Sequence, residues 1–373
     1  MKYLFVIGSF YPAQTGGPDN AIYWMARGFN KNNINVSTIT SSYGTKNGEV
    51  VHNKWINQEC GEVIYLTLDN NRKAHYWWLR SAKEILRTKS DIIHLNSLLY
   101  SFPFIFLIPF LRRKVIWTVH GELYKHARSS GKKKSKQVLW KFFRLLKHRI
   151  SFHSTCSYET RSIQEVLGHD ARIIEIPLGL DIPMIEIADP EAKYFSFIGR
   201  INPIKALDNL LRAFAKSNSF LTSDYKFLIA GTKTGSYATE LINLLDELNL
   251  SDKVEFVGHV NGRKKHQFLA SSTFNFLVSH SENFGVVVLE SLAQGTPVAA
   301  SLGTPWEVLR MRDAGIWTEN SVDALKNTID LIMSLDKREL KTLSDNAIEL
   351  VQEYSNEKIN KRWLDYFDST KLT

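Results

Sequence analysis

Two carboxylates, Glu282 and Glu290, lie eight positions apart in the second half of the chain. Apolar residues at 274–279 predict a buried strand before them, and helical apolar spacing at 286–293 predicts a helix that contains the second. A strand-to-helix turn therefore falls at 283–285, where free backbone N–H groups and the helix dipole suit an anion such as a phosphate. Acidic residues also favour a helix start on dipole grounds alone, so this spacing leaves a structural role open.

Two cations, Arg200 and Lys205, lie five positions apart in the loop after a predicted strand at 194–199. A guanidinium and an ammonium that converge on a diphosphate would stabilise the charge that grows as a phosphate leaves. Ligands of doubly wound sheets bind beyond the carboxyl ends of the strands, and the turn at 283–285 follows a strand of the same predicted sheet. The sequence therefore favours a phosphate-binding site there, with a solvated basic loop as the alternative.

A histidine, His120, directly follows a predicted strand at 115–119 in the first half of the chain. Lone histidines are more often structural, but this one stands at the edge of the sheet where ligands bind. His94 and Asn96 share that predicted edge, where they either line the site or hold the His120 loop. We interpret His120 as a site residue.

Several phosphate and metal motifs are missing from the sequence. It contains no Gly-x-Gly-x-x-Gly, no Gly-Lys-Ser/Thr phosphate loop, no cluster of cysteine and histidine, and no Asp-x-Asp pair of the kind that holds a metal for nucleotide sugars. We therefore expect neither a cofactor nor a metal, and expect Arg200, Lys205 and helix dipoles to meet the phosphate charge.

The length of 373 residues suits two domains of roughly 150 to 200 residues each. Two cysteines, Cys60 and Cys156, show neither a disulfide framework nor metal-ligand spacing, which fits a reducing compartment. Residues 1–8 are too short for a signal peptide, and no run of about 18 apolar residues predicts a spanning helix. We expect a cytoplasmic protein.

Predicted strands alternate with predicted helices, a pattern typical of parallel, doubly wound α/β sheets. The alternation breaks at 177–190 and then restarts, so we predict two domains, at 1–182 and 190–354. The predicted strands are 2–8, 36–40, 63–66, 92–95, 115–119, 152–156, 173–176, 194–199, 226–230, 254–257, 274–279 and 298–301, and the predicted helices are 19–30, 76–88, 138–150, 207–217, 238–248, 263–271 and 286–293.

Taken together, these motifs resemble the glycosyltransferase family 4 group. They occur in the family's order over nearly the whole chain, as Gly16-Gly17, His120, Gly199-Arg200 through Lys205, and the Glu-x7-Glu motif from Glu282 to Glu290. The resemblance implies the GT-B fold, in which two Rossmann-like domains face each other across a cleft. It also implies that a C-terminal helix, at about 355–373, returns to complete the first domain.

The resemblance further implies a retaining, metal-independent glycosyltransferase with a UDP- or GDP-sugar as donor. By resemblance, Arg200 and Lys205 bind the diphosphate, Glu290 the ribose and Glu282 the transferred sugar, while His120 bonds that sugar near the reacting carbon. The other residues expected to bind the donor are Gly16, Gly17, Asn283, Phe284 and Gly285. The expected reaction moves a hexose to a glycan or lipid-linked acceptor during assembly of bacterial surface polysaccharide, such as lipopolysaccharide or capsule, or of glycolipid.

Three positions depart from the family pattern. Ala206 follows Lys205 where glycine is usual, Leu178 stands where an asparagine often precedes Gly-Leu-Asp, and the loop at 303–305 is short. The last of these lies near the expected sugar pocket and leaves the identity of the donor sugar open.

Charge is unevenly distributed along the chain. Residues 1–183 hold 26 lysines and arginines against 13 acids, a net +13, and the remainder holds 21 against 25, a net −4. Segment 112–149 alone holds 13 basic residues and one acid. Such a basic region favours an anionic partner.

We interpret segment 112–149 as a surface for anionic lipid at the inner face of the cytoplasmic membrane. Its lysine run at 132–136 is followed by Trp140, Phe142 and Phe143, and the apolar stretch 98–111 would add interfacial contact. A merely solvated basic face is the alternative. Nucleic acid is not expected, because aromatic residues are not interleaved with the basic ones as stacking platforms.

A catalytically silent protein of the same fold, which binds nucleotide sugars or acts as a scaffold, is the alternative class of function. The presence of Arg200, Lys205, Glu282 and His120 together favours the enzyme.

Overall fold

The computed structural model describes residues 1–13, 17–68, 74–129, 133–189 and 191–371. For residues 74, 75, 126, 129, 133–137 and 371 it describes only the backbone. The expected donor-binding residue Gly16 and the basic residue Lys132 lie outside the described residues.

The described residues form fourteen strands and fourteen α-helices, numbered here in chain order. The strands are β1 Lys2–Val6, β2 Asn35–Ser41, β3 Trp55–Gln58, β4 Gly61–Leu66, β5 Ile92–Asn96, β6 Lys114–Thr118, β7 Ile150–Ser154, β8 Arg172–Glu175, β9 Tyr194–Ile198, β10 Lys226–Ala230, β11 Val254–Gly258, β12 Phe274–Leu277, β13 Val298–Ser301 and β14 Gly315–Thr318. The helices are α1 Gly17–Lys31, α2 Ala74–Arg87, α3 Lys125–Ser129, α4 Lys133–Leu146, α5 Ser157–Leu167, α6 Leu207–Lys216, α7 Asn218–Leu221, α8 Ser236–Glu247, α9 Gly262–Ala270, α10 Val286–Leu292, α11 Val308–Met311, α12 Val322–Ser334, α13 Lys337–Val351 and α14 Asn356–Lys371. Short 3₁₀ helices lie at Phe102–Phe106, Ile108–Phe110, Lys147–Arg149, Pro203–Lys205 and Gln352–Tyr354.

The chain divides into two compact units, each built on one sheet. Unit 1 comprises Met1–Gly179 and the C-terminal segment from Asn356, and unit 2 comprises Leu180–Ser355. The sheet of unit 1 has the strand order β3-β4-β2-β1-β5-β6-β7-β8, and that of unit 2 has β11-β10-β9-β12-β13-β14. All neighbours pair in parallel except β3, which is antiparallel to β4. The predicted fold class, two Rossmann-like α/β domains with parallel doubly wound sheets, is confirmed.

The strands of unit 1 are apolar on both faces, as a parallel sheet covered by helices requires. In β1, Leu4 and Val6 pack into a core with α2, α4 and α5, while Tyr3 and Phe5 pack into a second core with α1 and α14. Alternate side chains of a strand point to opposite faces, so these cores lie on opposite sides of the sheet. Fully burying one such side chain contributes roughly 1.5 to 3 kcal/mol, which makes both layers integral to the unit.

Helix α4 corrects one sequence interpretation. Trp140 and Phe143, which we expected to contact a membrane, are buried in the core of unit 1. The periodic apolar stripe of an amphipathic helix marks the face that packs against the protein, and these two residues form that stripe.

Two edge strands, β3 and β14, have no counterpart among the predicted elements. Each has four residues, and all four residues of β14 are only half-buried. An edge strand of that length carries too little apolar periodicity to be recognised in the sequence. Among the described residues, no helix is both long and apolar enough to cross a membrane.

Candidate functional site

Three loops meet at the carboxyl edge of the unit 2 sheet. They follow β9, β12 and β13, which are consecutive neighbours in that sheet. The backbone N–H of His280 donates to Ile204 O at 2.8 Å, and that of Glu282 donates to Gly303 O at 2.9 Å. The loop that carries Glu282 is therefore tied on both sides to its neighbours.

Two glycines allow these loops to approach closely. A Cβ built at Gly303 would lie 2.5 Å from the carbonyl oxygens of Ser279 and His280. Gly285 has a φ of +78°, and its Cβ would lie 2.7 Å from Leu277 Cδ2. A side chain at Gly303 would collide with backbone atoms, and a side chain at Gly285 would be strained by the positive φ, so the turn favours glycine at both positions.

The predicted phosphate-binding and sugar-binding residues are in direct contact. Lys205 Nζ forms an ion pair with Glu282 Oε2, although the two residues are 77 positions apart in the chain. Ser279 Oγ donates to the same carboxylate oxygen at 3.1 Å. The side chains of Lys205 and Glu282 are 15% and 19% exposed, so the pair is largely desolvated yet still open to a ligand.

The backbone around Lys205 explains one departure from the family pattern. Ala206 has φ and ψ angles of 51° and 37°, in the left-handed region, and it directly precedes α6. Glycine adopts that conformation without steric cost, whereas alanine is strained there by about 1 to 2 kcal/mol. A glycine after the lysine would therefore relieve that backbone strain.

Arg200 lies at the start of the same loop but is exposed. Within the part of the chain that the structure describes, its side chain makes no hydrogen bond or ion pair. The two predicted phosphate-binding cations are thus in different states: Lys205 is held by Glu282, and Arg200 projects into solvent.

The second carboxylate of the motif is also paired. Glu290 lies on α10, and its Oε1 accepts from Lys265 Nζ of α9 at 2.7 Å. Both side chains are largely buried, at 11% and 18% exposure. Lys265 was not predicted as a site residue, because no local motif marks it and only the packing of α9 on α10 brings it to Glu290.

Phe284 has a packing role in the turn. It is buried, its ring lies 5.2 Å from that of Trp306 and 6.2 Å from that of Tyr354, and its carbonyl oxygen accepts a hydrogen bond from Trp306 Nε1. These contacts fix the turn to the rest of unit 2. The neighbouring residue Asn283 is half-buried.

A cavity of about 320 Å³ adjoins these loops. It is lined by Asn209, His280, Leu302, Gly303, Glu319, Asn320 and Ser321. His280 Nδ1 accepts from Asn320 Nδ2 at 2.9 Å in its wall. His280 and Gly303 belong to the loops that position Glu282, but neither Lys205 nor Glu282 lines the cavity itself.

In unit 1, His120 has an unusual backbone and a defined tautomer. It follows β6 with a φ of +52°, and its Nε2 lies 3.1 Å from Asn96 Oδ1. Asn96 Nδ2 donates to the carbonyl oxygens of Val6 and His94, so its Oδ1 is the atom that faces the histidine. His120 Nε2 therefore carries the proton, and Nδ1 is left as an acceptor.

The Nδ1 atom of His120 is buried and has no hydrogen-bond partner within the described residues. Burial, followed by the charge of nearby His153, lowers the pKa of His120 to about 3. The imidazole is thus neutral at physiological pH, and its Nδ1 is a hydrogen-bond acceptor.

Two carboxylates hold the loop that carries His120. Glu159, fully buried on α5, accepts from the backbone N–H of Gly121 at 2.5 Å and from Thr155 N–H at 2.7 Å. Glu122 accepts from Ser97 Oγ at 2.6 Å and from Leu99 N–H at 2.9 Å. The loop is fixed from both sides, which stabilises the left-handed conformation of His120.

The remaining predicted residues of unit 1 have simpler environments. Asn96 orients His120, as described above, whereas His94 is fully buried and bonds Tyr3 and Thr118. Gly17 is the exposed first residue of α1. Among the described residues, no group of three or more histidine, cysteine, aspartate or glutamate side chains is arranged to hold a metal ion.

Two Rossmann-like units with polar side chains at the carboxyl edges of their sheets define a protein of the GT-B class. Sucrose-phosphate synthase from Thermosynechococcus elongatus has a TM-score of 0.81 at 17% identity, covering 100% of this chain and 99% of that one. HepE of Anabaena, solved with UDP-glucose, has a TM-score of 0.79 at 18% identity, covering 99% of this chain and 100% of that one. At these identities the likeness establishes the fold.

Family comparison is more specific. Residues 15–182 match the family described as Glycosyltransferase Family 4, and residues 182–350 match the family described as Glycosyl transferases group 1. The two matches together run from position 15 to position 350, and with the structural likeness they support a glycosyltransferase of the group 1 type.

A curated relative carries a more particular name. The D-inositol 3-phosphate glycosyltransferase of Mycobacterium sp. (strain KMS) is 34% identical over 151 residues, which are 39% of this chain and 33% of the relative. The match thus spans about a third of that relative's length.

Proposed function

We propose that this glycosyltransferase retains anomeric configuration and moves a hexose from a UDP- or GDP-sugar to a glycan or lipid-linked acceptor without a metal. The observation that carries the proposal is the contact between Lys205 and Glu282 beside the Gly285 turn. A sugar diphosphate presents an anionic group next to neutral hydroxyls. A cation next to a hydrogen-bond acceptor is the complementary arrangement.

Each site residue then has a role in binding the donor. Lys205 and Arg200 stabilise the negative charge on the departing diphosphate, as fixed cations in a partly desolvated site do. Glu282 accepts hydrogen bonds from the hydroxyls of the transferred sugar. Glu290, whose charge is balanced by Lys265, accepts from the ribose hydroxyls.

The reaction requires one bond to break and one to form at the anomeric carbon. The bond from that carbon to the diphosphate oxygen breaks, and the acceptor oxygen bonds to the carbon on the same face, which retains configuration. The acceptor proton passes to the departing phosphate. A histidine with a pKa of about 3 is too weak a base to remove it at neutral pH, so His120 acts as a hydrogen-bond acceptor for the donor sugar.

We expect His120→Ala to lower kcat by about 10- to 100-fold, because one hydrogen bond formed near the reacting carbon is lost. The donor Kd should change by less than about threefold, since the diphosphate contacts lie elsewhere. Steady-state kinetics with calorimetric donor binding checks both values. His148→Ala, at an exposed histidine of the same unit, is the control. A kcat for His120→Ala equal to that of the control would remove His120 from the reaction.

Donor identity is tested by thermal unfolding with nucleotide sugars. A ligand present at about 100 times its Kd stabilises the native state by about 2.7 kcal/mol. UDP-glucose is the first donor to test, because it is bound in the HepE structure. We expect a UDP- or GDP-sugar to raise the unfolding temperature, and the shift to persist in a metal chelator. No shift with any nucleoside diphosphate sugar would contradict the proposal, and a shift that the chelator removes would contradict metal independence.

We also propose that the acceptor is anionic and that the enzyme works at the inner face of the cytoplasmic membrane, in assembly of surface polysaccharide, lipopolysaccharide, capsule or glycolipid. Support comes from the net charge of +13 over residues 1–183. The name of the mycobacterial relative also specifies a phosphorylated acceptor.

Turnover separates this enzyme from a catalytically silent protein of the same fold. Labelled donor is incubated with lipid extracted from the host membrane and, in parallel, with soluble phosphorylated acceptors. Transfer of label to either supports the proposal. Donor binding in the thermal assay without transfer to any acceptor would identify a nucleotide-sugar-binding protein instead.

A further inference from the structure

Helices α2 and α4 of unit 1 each have a second apolar stripe that faces away from the core. In α4 the core stripe contains Trp140 and Phe143, and the opposite face presents Val138, Phe142 and Leu145 at positions i, i+4 and i+7. The outward residues are exposed, and Leu145 is 75% accessible. A helix in contact with water normally presents polar residues on that face, so this stripe indicates a partner.

Helix α2 repeats the pattern beside it. Its buried positions include Trp77 and Ile85, while Leu79 and Leu86 are exposed on the opposite side with Lys83 between them. Two helices that pack on the same core are thus apolar outwards, and the outward leucines of α2 flank a lysine.

The 3₁₀ segment between these helices joins the two stripes. It contacts α2 on one side and α4 on the other. Phe106 packs against Phe142, with ring centroids 5.6 Å apart, and is itself 54% exposed. Phe110 is 81% exposed at the end of the next 3₁₀ helix. We call the outward side chains Leu79, Leu86, Phe106, Phe110, Val138, Phe142 and Leu145 the outer apolar face.

The surroundings of the outer apolar face are strongly basic. Positions 74–149 hold 17 lysines and arginines against three acids. All three acids have partners: Glu84 pairs with Arg87, Asp91 accepts from the backbone N–H of Lys2, and Glu122 accepts from Ser97 and Leu99. Exposed cations on or near the face include Lys83, Arg112 and Lys141.

We infer that the outer apolar face is the surface by which unit 1 binds an anionic lipid bilayer. Phenylalanine and leucine side chains enter the boundary between headgroups and acyl chains, while flanking lysines and arginines bind the anionic headgroups. Nucleic acid is the alternative anionic partner, but it has no apolar interior into which the seven exposed apolar side chains could insert. The inference deepens the proposed function, because a lipid-linked acceptor resides in such a bilayer, but binding to lipid is measurable without turnover.

Vesicle flotation tests the apolar part of this surface. The full-length protein is mixed with phosphatidylcholine vesicles that contain about 30% phosphatidylglycerol, or none, at low salt. We expect binding only to the anionic vesicles, and at least a tenfold weaker partition for the double variant Phe110→Ser with Leu145→Ser. The matched control is Met184→Ser with Ile187→Ser, which removes two exposed apolar side chains, 88% and 93% accessible, from unit 2.

A charge-reversal pair tests the basic part. The test variant is Lys83→Glu with Lys141→Glu, whose lysines lie on the helices of the outer apolar face. The control is Lys361→Glu with Arg362→Glu on α14. It makes the same charge change on the other face of the same sheet. We expect the first pair to abolish vesicle binding and the second to reduce it less than threefold. Equal effects of the two pairs would show only a general attraction of net charge and would overturn the surface.

The outcomes separate this inference from the proposed function. Transfer to a soluble acceptor with no vesicle binding overturns the lipid surface and leaves the glycosyltransferase intact. Vesicle binding without transfer to any acceptor supports the surface and contradicts the enzyme. A dimer in light scattering that Phe110→Ser with Leu145→Ser dissociates, without vesicle binding, assigns the face to a second copy of the chain and overturns the lipid partner.

Discussion

Replacing Lys205 with methionine is expected to lower kcat/KM for sugar transfer by about 100-fold or more, because a cation that stabilises the departing diphosphate is lost. Glu282→Gln is expected to cause a loss of similar size, because a neutral amide is a weaker acceptor for the donor-sugar hydroxyls. Unfolding should remain cooperative in both variants. Steady-state kinetics with the donor found by thermal shift, together with urea unfolding, measures the two effects.

The ion pair between these residues makes a sharper test available. Either single change leaves one charge partly buried and unpaired, which should destabilise the fold by about 1 to 3 kcal/mol. The double variant Lys205→Met with Glu282→Gln removes both charges, so its stability should recover towards wild type. Its activity should not recover, because both ligand contacts are missing. Recovery of stability without activity distinguishes a ligand-binding pair from a structural salt bridge.

The control for this series is Lys193→Met, which removes a lysine from an exposed ion pair with Asp224 in the same unit. Exposed pairs contribute about 0 to 1 kcal/mol, so neither activity nor stability should change appreciably. Activity of Lys205→Met within about tenfold of that control would contradict the assignment of Lys205 to the diphosphate.

Much of the fold follows from apolar periodicity, and the exceptions have a physical cause. Strands such as β1 and β5 are buried on both faces, so continuous apolar runs mark them. The edge strand β3 pairs antiparallel with β4 and has no fully buried residue, so burial leaves no pattern in its sequence. Helix α4 was predicted from the apolar stripe that packs into the core. The sequence alone does not show that Phe142 and Leu145 point outwards, because that requires knowing which face of the helix is buried.

The sequence predicts which residues belong to the candidate site, but it predicts few of the contacts among them. Position after a strand marks Lys205 and Glu282 in unit 2 and His120 in unit 1 as candidates, because the strands of each parallel sheet end at one edge of that sheet. The pairing of Lys205 with Glu282 spans 77 positions, and that of Lys265 with Glu290 spans 25 positions. Such contacts depend on how neighbouring loops and helices pack, which no local spacing encodes.

A chain of buried hydrogen bonds lies under the His120 loop in unit 1. His153 Nε2 is 2.8 Å from Ile176 O, which can only accept, so His153 Nδ1 is an acceptor for Thr118 Oγ1 at 2.8 Å. Thr118 in turn accepts from His94 Nε2 at 2.5 Å, and His94 Nδ1 accepts from Tyr3 OH at 2.8 Å. Each proton in this series of hydrogen bonds therefore has one position, and each of the two histidines must be neutral for the series to form.

Acidification is therefore expected to destabilise the protein between pH 6.5 and about 4. Burial lowers the pKa of His153 to about 4 in the folded state, below the usual value of about 6.5, and also holds the pKa of His94 well below its usual value. In this range the unfolded chain binds protons that the buried histidines of the folded chain exclude. The histidine contribution to stability is therefore intact above pH 6.5 and is lost as the pH falls. For His153 alone, about 2.5 pKa units correspond to a loss of about 3 kcal/mol, complete below pH 4. Urea unfolding across this range measures the slope.

Two variants should change that slope in opposite directions. His153→Gln keeps a donor for Ile176 O and an acceptor for Thr118 but does not titrate, so its stability should depend less on pH than that of wild type.

Burial raises the pKa of Glu159 to about 7, so its folded state holds a proton that the unfolded state loses above pH 4.5. The Glu159 contribution to stability is fully present below pH 4.5 and is lost as the pH rises through 7. On acidification it therefore partly offsets the loss of stability that the histidines cause. Glu159→Gln removes the offset and should steepen the acid loss. Equal slopes for wild type and His153→Gln would show that the buried histidines do not control acid stability.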